Sequence, residues 1–276
     1  MRGPVRRVLA VVLAVAAVLV VADLATGAAV ESGVSRQLRD RLDLPEDPRV
    51  RVHGFSVLAQ AATGRYDHVE MTLQRVPIGP LRTPELRVQM YGVRADLTDL
   101  AGAGPARFRA AAAEGVVRIG PNDVRRMVVE HGGPAAGVTR LTVESVDANA
   151  IDTDVLAGAD PTLRGLDPRT AARFVAEMPV DGAPARVGVL TSLVVTGGKL
   201  RVVPLDVRVA DTQEPVPDAV RTSLLRALAV ELDPGRLPLG VTATTASVPE
   251  FNVLEISGAM RDLSVGEGPS SSRSAG

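Results

Sequence analysis

The stretch Val69-Glu70-Met71-Thr72-Leu73-Gln74, answered after a Pro/Gly-rich turn by Leu86-Arg87-Val88-Gln89-Met90-Tyr91, alternates apolar and polar residues without a break. A period of two belongs to a strand with one buried face, because successive side chains leave a pleated backbone on opposite sides. At Gly92 the phase slips, and Val93, Ala95 and Leu97 take over the apolar positions. A glycine at a phase slip predicts a β-bulge or a sharp bend. Two long strands and a bend set the frame, a curved antiparallel sheet.

Outward from this pair the same period recurs. Further strands are predicted around 114–119, 138–147, 186–196, 199–210, 238–248 and 251–258, with Gly197-Gly198 as the tight turn of a hairpin. Residues 66–97 and 186–211 both read as a long hairpin followed by a helix, a weak internal echo. Helices interrupt the strands. Pro121-Asn122-Asp123 opens one through His131, stopped by Gly132-Gly133. Asp167 as N-cap and Pro168 at the first helical position open a second through Met178. Pro217-Asp218 opens a third, with Val220, Leu224, Leu225, Ala227 and Leu228 on one face. Strands and helices do not alternate as a doubly wound fold requires, so the expected class is α+β, mostly antiparallel.

At the N-terminus Arg2, Arg6 and Arg7 precede an apolar run from Val8 to Ala22, with Asp23 the next charge. A basic flank before a short apolar run is the pattern of an export signal. The run alone is shorter than the roughly 20 residues that span hydrocarbon. Continued through Leu24, Ala25, Ala28, Ala29 and Val30 it becomes long enough, so residues 1–29 read as a signal sequence or a membrane-retained signal anchor. Val30, Val34, Leu38 and Leu42 then form an amphipathic stripe that Pro45 and Pro48 stop, which favours retention at the outer face of the cytoplasmic membrane. The main domain is expected over 30–263. The Ser/Gly-rich segment 264–276 reads as a disordered tail.

Composition narrows the function. Of 276 residues, 46% are hydrophobic, yet there are only four Phe, two Tyr and no Trp. The core must come from Val, Leu and Ala, which suit pleated sheet and pliable apolar linings. Net charge is -1 overall and becomes -3 when the three arginines and Asp23 of residues 1–29 are set aside, so nucleic acid is not an expected partner. No cysteine is present, which removes disulfides, thiolate zinc sites, a cysteine nucleophile and a lipoprotein-type anchor.

No catalytic constellation appears. His53, His68 and His131 lack metal-ligand spacing, and no Gly-x-Ser-x-Gly elbow occurs. Gly102-Ala103-Gly104 and Gly132-Gly133 read as turns rather than phosphate loops. The acidic group Asp147, Asp152 and Asp154, with Asn149, lacks the central Gly and terminal Glu of a calcium loop and is expected to be a solvated loop. The chain is therefore expected not to be an enzyme, and to need neither metal nor cofactor.

Three stretches carry a resemblance: Val50-Arg51-Val52-His53-Gly54-Phe55-Ser56-Val57-Leu58, then Gly64-Arg65-Tyr66-Asp67-His68-Val69, then Val76-Pro77-Ile78-Gly79. Gly198-Lys199-Leu200-Arg201-Val202-Val203-Pro204 and Arg236-Leu237-Pro238-Leu239-Gly240-Val241 agree with it. In this order they resemble the LmeA-like phospholipid-binding family of actinobacteria, from about residue 24 to 265. Ser56 departs from the proline usual there, which is expected to loosen the turn without removing chemistry. The resemblance implies an exported or membrane-anchored, non-catalytic protein that binds phospholipid and supports envelope lipoglycans such as lipomannan. It also implies a fold similar to the tubular, BPI-like lipid-binding proteins, a strongly bent sheet wrapped around helices and enclosing an apolar channel.

Candidate lining residues are Met71, Leu73, Leu86, Val88, Met90, Leu193 and Val195, with Phe55 and Leu58 near a mouth, although plain core packing explains each as well. Arg65 and Arg87 are candidates for a charge-assisted hydrogen bond to a phosphate. The rival to a lipid carrier is a tethering module whose interior is filled by side chains.

Overall fold

The computed structural model describes residues 46, 48–76, 78, 80–95, 108–156, 158–233 and 241–265. The N-terminal segment 1–29, the stripe from Val30 to Leu42, Gly102-Ala103-Gly104, the 236–240 part of the second glycine step and the tail beyond Val265 lie outside the described residues. Among those described, no helix is long and apolar enough to cross a membrane.

The fold is α+β, and its two sheets are mostly antiparallel and do not close into a barrel. Strands β1 (Arg49–His53), β2 (Arg65–Gln74), β3 (Glu85–Arg94), β4 (Phe108–Ile119), β10 (Thr245–Glu250) and β11 (Val253–Val265) form a six-stranded sheet in the order β1-β2-β3-β4-β11-β10. Strands β5 (Arg140–Ser145), β6 (Ala171–Val180), β7 (Ala183–Thr196), β8 (Lys199–Val209) and β9 (Glu231–Leu232) form a five-stranded sheet in chain order. The helices are α1 (Val57–Thr63), α2 (Pro121–Glu130), α3 (Ala148–Leu156) and α4 (Asp218–Leu228). Two compact units are drawn from these residues, one from within 1–73, 88–113 and 260–276, the other from within 74–87 and 114–259.

The alternation that sets the frame is realised in β3, where Leu86, Val88 and Met90 are buried and Tyr91 is exposed. Gly92 adopts φ +59°, and burial resumes at Val93 and Ala95. The slip is thus a left-handed residue inside a strand, a conformation that glycine adopts without the clash a Cβ brings. The β7–β8 hairpin turns at Gly197-Gly198, where Thr196 pairs with Lys199. Its register slips between Leu190 and Thr191, and Thr191 faces Pro204. A proline has no N–H for the ladder, so a bulge beside it is how β8 stays inside the sheet.

Two expectations are corrected. Residues 171–178 are not helical. Asp167 does cap, its carboxylate accepting from the Arg169 N–H, but the capped element is a single 3₁₀ turn over Pro168–Thr170. From Ala171 the chain becomes β6, paired on one side with β5 and on the other with β7. Phe174, Val175 and Ala176 are all buried, as befits a central strand covered on both faces. Burial on both faces erases the period of two, and Ala, Arg and Glu in the same stretch favour helix locally. Tertiary pairing overrides that propensity.

The acidic stretch 147–154 is not a solvated loop either. Asp147 accepts the Ala150 N–H at 2.7 Å and opens α3, whose Ile151 and Val155 enter a cluster with Val146, Ala159, Leu163, Ala171 and Leu190. Asp154 is buried and paired with Arg173. Helix α2 runs over 121–130 as the Pro-Asn-Asp start implies. Helix α4 packs Val220, Leu224, Ala227 and Leu228 inward, against β8 and the 3₁₀ turn Gly133–Gly137. There Ser223 Oγ accepts the Ala135 N–H at 3.0 Å.

Candidate functional site

In the first unit, β1 and β2 pair antiparallel with Val50 facing Met71 and Val52 facing Val69, so both strands turn an apolar side the same way. The other side carries Arg51 opposite Glu70 and His53 opposite His68. The imidazoles of His53 and His68 stack with centroids 4.6 Å apart, and His68 stacks again on Tyr91 of β3 at 4.6 Å. His53 Nε2 lies 3.3 Å from Glu70 Oε2. Burial first, and the neighbouring His53 second, hold His68 below the usual histidine pKa, so its ring favours the neutral form. Among the described residues no group of three His, Asp or Glu side chains could hold a metal ion. The histidines are a cross-strand stack rather than a ligand set.

The loop from β1 to α1 is built around three side chains. Ser56 Oγ accepts the Ala59 N–H at 3.1 Å and caps α1, so the serine expected to loosen this turn secures it instead. Gln60, buried despite its amide, accepts the Asp67 N–H at 2.8 Å and donates to the His53 carbonyl at 3.4 Å. Gly54 has φ +135°, and a Cβ there would lie 2.6 Å from Gln60 Nε2 and 3.0 Å from Asp67 Oδ2. Helix α1 ends at left-handed Gly64, whose carbonyl accepts the Ala95 N–H at 3.0 Å and ties it to the end of β3.

At that end of the unit the start of β2, the end of β3, the start of β4 and the end of β11 surround a cleft of about 540 Å³. Buried Tyr66, Val93, Ala110 and Leu263 line it as a mainly apolar floor, and exposed Arg65, Arg94 and Arg109 stand around them with Asp67 and Asp262. Three guanidinium groups against two carboxylates leave a formal excess of one positive charge. The volume falls within the range of small-molecule sites, and an apolar floor with cations at the edge matches an amphiphile bearing an anionic end.

The second unit offers no such space in its most ionic region. Asp154 with Arg173, and Asp206 with Arg208 at 2.6 Å and Arg221 at 3.4 Å, form a buried ion-pair network around a void of about 10 Å³, the room of one water. Arg118 of β4 is likewise shared among Glu85, Glu250 and Glu255. An open hollow of about 480 Å³ lies beside Gly132-Gly133 and the start of α4, both glycines left-handed in a turn, as read from the sequence.

The residues singled out from the sequence fall in different places. Leu73, Leu86, Val88, Met90 and Leu193 are buried, Val88 to 0% exposure. Met71 and Val195 are half-buried, and Leu193 and Val195 belong to β7 of the five-stranded sheet, apart from β2 and β3 in the other. Phe55 is fully exposed, and Leu58 sits in α1. Of the two candidate arginines, Arg65 borders the cleft, whereas Arg87 is paired with Glu85 at 3.0 Å. Arg94 and Arg109 carry no sequence signal that separates them from the other arginines. Only the meeting of four strand ends singles them out.

Compared with known protein families, residues 21–251 match the LmeA-like phospholipid-binding family. The chain belongs to that family. The match takes in β1 through β10 and confirms the resemblance carried by the Gly54-Phe55, Gly64-Arg65-Tyr66 and Val76-Pro77 steps. The LmeA-like family is a phospholipid-binding one and not an enzyme family. No curated protein and no solved structure matches the chain.

Proposed function

We propose that this LmeA-like protein is an exported or membrane-anchored phospholipid-binding protein of the cell envelope, held at the outer face of the cytoplasmic membrane, and that it carries lipid in support of lipoglycans such as lipomannan. Family membership over residues 21–251 is the observation that carries the lipid-binding part. The basic, then apolar, first thirty residues support export and anchoring, with 1–29 as signal sequence or anchor, 30–263 as the lipid-binding domain and 264–276 as a tail. The aliphatic residues named above are proposed as chain-lining residues in a BPI-like arrangement, and the arginine-edged cleft as the place of the headgroup.

The energetics need no catalytic group and no exact polar fit. Each methylene moved out of water contributes roughly 0.8 kcal/mol. About ten of them give on the order of 8 kcal/mol, a micromolar affinity before ordering costs. Val, Leu and Met linings adapt to acyl chains of varied length.

Mass spectrometry of the organic extract from protein purified without detergent tests the proposal. Stoichiometric phospholipid is the expected result. A well-folded protein that is free of lipid and takes up none when phospholipid is added would overturn it in favour of a tethering module.

A further inference from the structure

Phe55 is fully exposed, yet the loop that carries it is bonded on either side. The Gly54 conformation, the Gln60 amide bonded to both His53 and Asp67, and the Ser56 cap fix the chain on both sides of the ring. A single apolar side chain on a surface needs no explanation, but an aromatic ring presented by a turn built with a buried glutamine calls for one. The turn also adjoins the cleft. Asp67, whose carboxylate approaches Gly54, is part of the cleft lining together with Arg65, Arg94 and Arg109.

We infer that the Phe55 turn inserts into the face of an anionic phospholipid bilayer, with Arg65, Arg94 and Arg109 meeting lipid phosphates beside it, so that the cleft opens onto the membrane. The inference rests on the phospholipid-binding reading above and adds how lipid reaches the site. The charge complementarity decides the occupant. A ring alone changes partitioning only about ten- to a hundredfold. An arginine close to an anionic surface contributes about a further fivefold. An aromatic tip beside three guanidinium groups, whose charge exceeds that of the two neighbouring carboxylates by one, suits a surface that is apolar below and anionic above. A protein partner would be expected to bury the ring against a matching apolar patch, with no need of anionic lipid.

The chain contains no tryptophan, so Phe55→Trp places a single reporter at the tip. The full-length variant is added to, or reconstituted with, vesicles of phosphatidylcholine alone and of phosphatidylcholine with phosphatidylglycerol. The expected emission is that of a water-exposed indole in buffer. With the anionic vesicles it shifts to the blue and loses intensity when the acyl chains are brominated, because the indole then touches the quencher. Adding Arg65→Ala and Arg94→Ala to the reporter protein is expected to reduce that shift, as is high salt.

An indole that stays water-exposed with anionic vesicles, in protein whose circular dichroism matches the parent, overturns the inference. So does an indole already shielded in buffer, or a blue shift indifferent to lipid charge and to bromination. Lipid in the organic extract alongside a water-exposed indole defeats this inference alone. A protein that neither holds nor takes up lipid defeats the phospholipid-binding reading itself.

Discussion

Asp123 is 1% exposed and ionised, because its carboxylate replaces water with donors. Burial works against its charge, but the N–H groups of Thr83 at 3.0 Å and Arg82 at 3.2 Å, the Thr83 hydroxyl and the Arg126 guanidinium outweigh it and hold the pKa below the ordinary value. Asp123→Ala orphans two backbone donors and an arginine, and should lower stability by about 3 kcal/mol, read as a shifted urea midpoint. A depressed folded-state pKa gives stability that is present above the unfolded value and lost as pH falls through the folded one. The gap between parent and variant should therefore narrow in acid. Asp154 works in the opposite sense. Burial raises its pKa despite Arg173, so its ionisation costs stability as pH rises from the unfolded value through the folded one. Both signs are checked by thermal unfolding across the acid range.

Among the elements, α4 shows what packing contributes. Its Leu224 is 0% exposed, and the two other helix residues that flank it inward, Val220 and Leu228, are nearly so. Leu224→Ala leaves a cavity in a face that has little room to relax, and should cost about 2–5 kcal/mol by denaturant titration. That helix was legible because Pro217-Asp218 starts it and its apolar residues recur at helical spacing. Strands β2, β3, β7 and β8 were legible for a matching reason, each having one covered face or a glycine turn. Strand β6 was not, since two covered faces leave no alternation and its composition suits a helix. Helix α3 was hidden because its acids look solvated until Arg173 is brought beside Asp154 from β6, the next strand. Helix α1, seven residues long, gives periodicity too little length to register.

For the whole molecule, the α+β class followed from strand periodicity interrupted irregularly by helices, and family membership from punctuation: Gly54-Phe55, Gly64-Arg65-Tyr66 and Val76-Pro77 in that order. The cleft did not. Its lining comes from four strand ends between Arg65 and Ser264, and only one of its three arginines was singled out beforehand. Spacing along the chain cannot report a meeting of such distant segments, and thirty arginines dilute any choice by residue type. The sheet itself depends on a distant pairing, since β11 lies between β4 and β10. A chain ending at Asn252, lacking β11, should leave β4 with an open edge and β10 without a partner, and yield rapidly to limited proteolysis, whereas the parent resists.

That late insertion bears on the timing of folding. Contacts between segments far apart in sequence close slowly, because loop entropy must be overcome before pairing offers any return. While the chain is made from its N-terminus, β1 to β4 exist long before the strand that completes them, and β4 keeps an open edge. An open edge invites wrong pairing, but it also delays the native state until β11 arrives. Under the export proposed above, a sheet whose β4 edge is filled only by β11 would act as a timer: the thread stays pliable until that strand emerges on the far side.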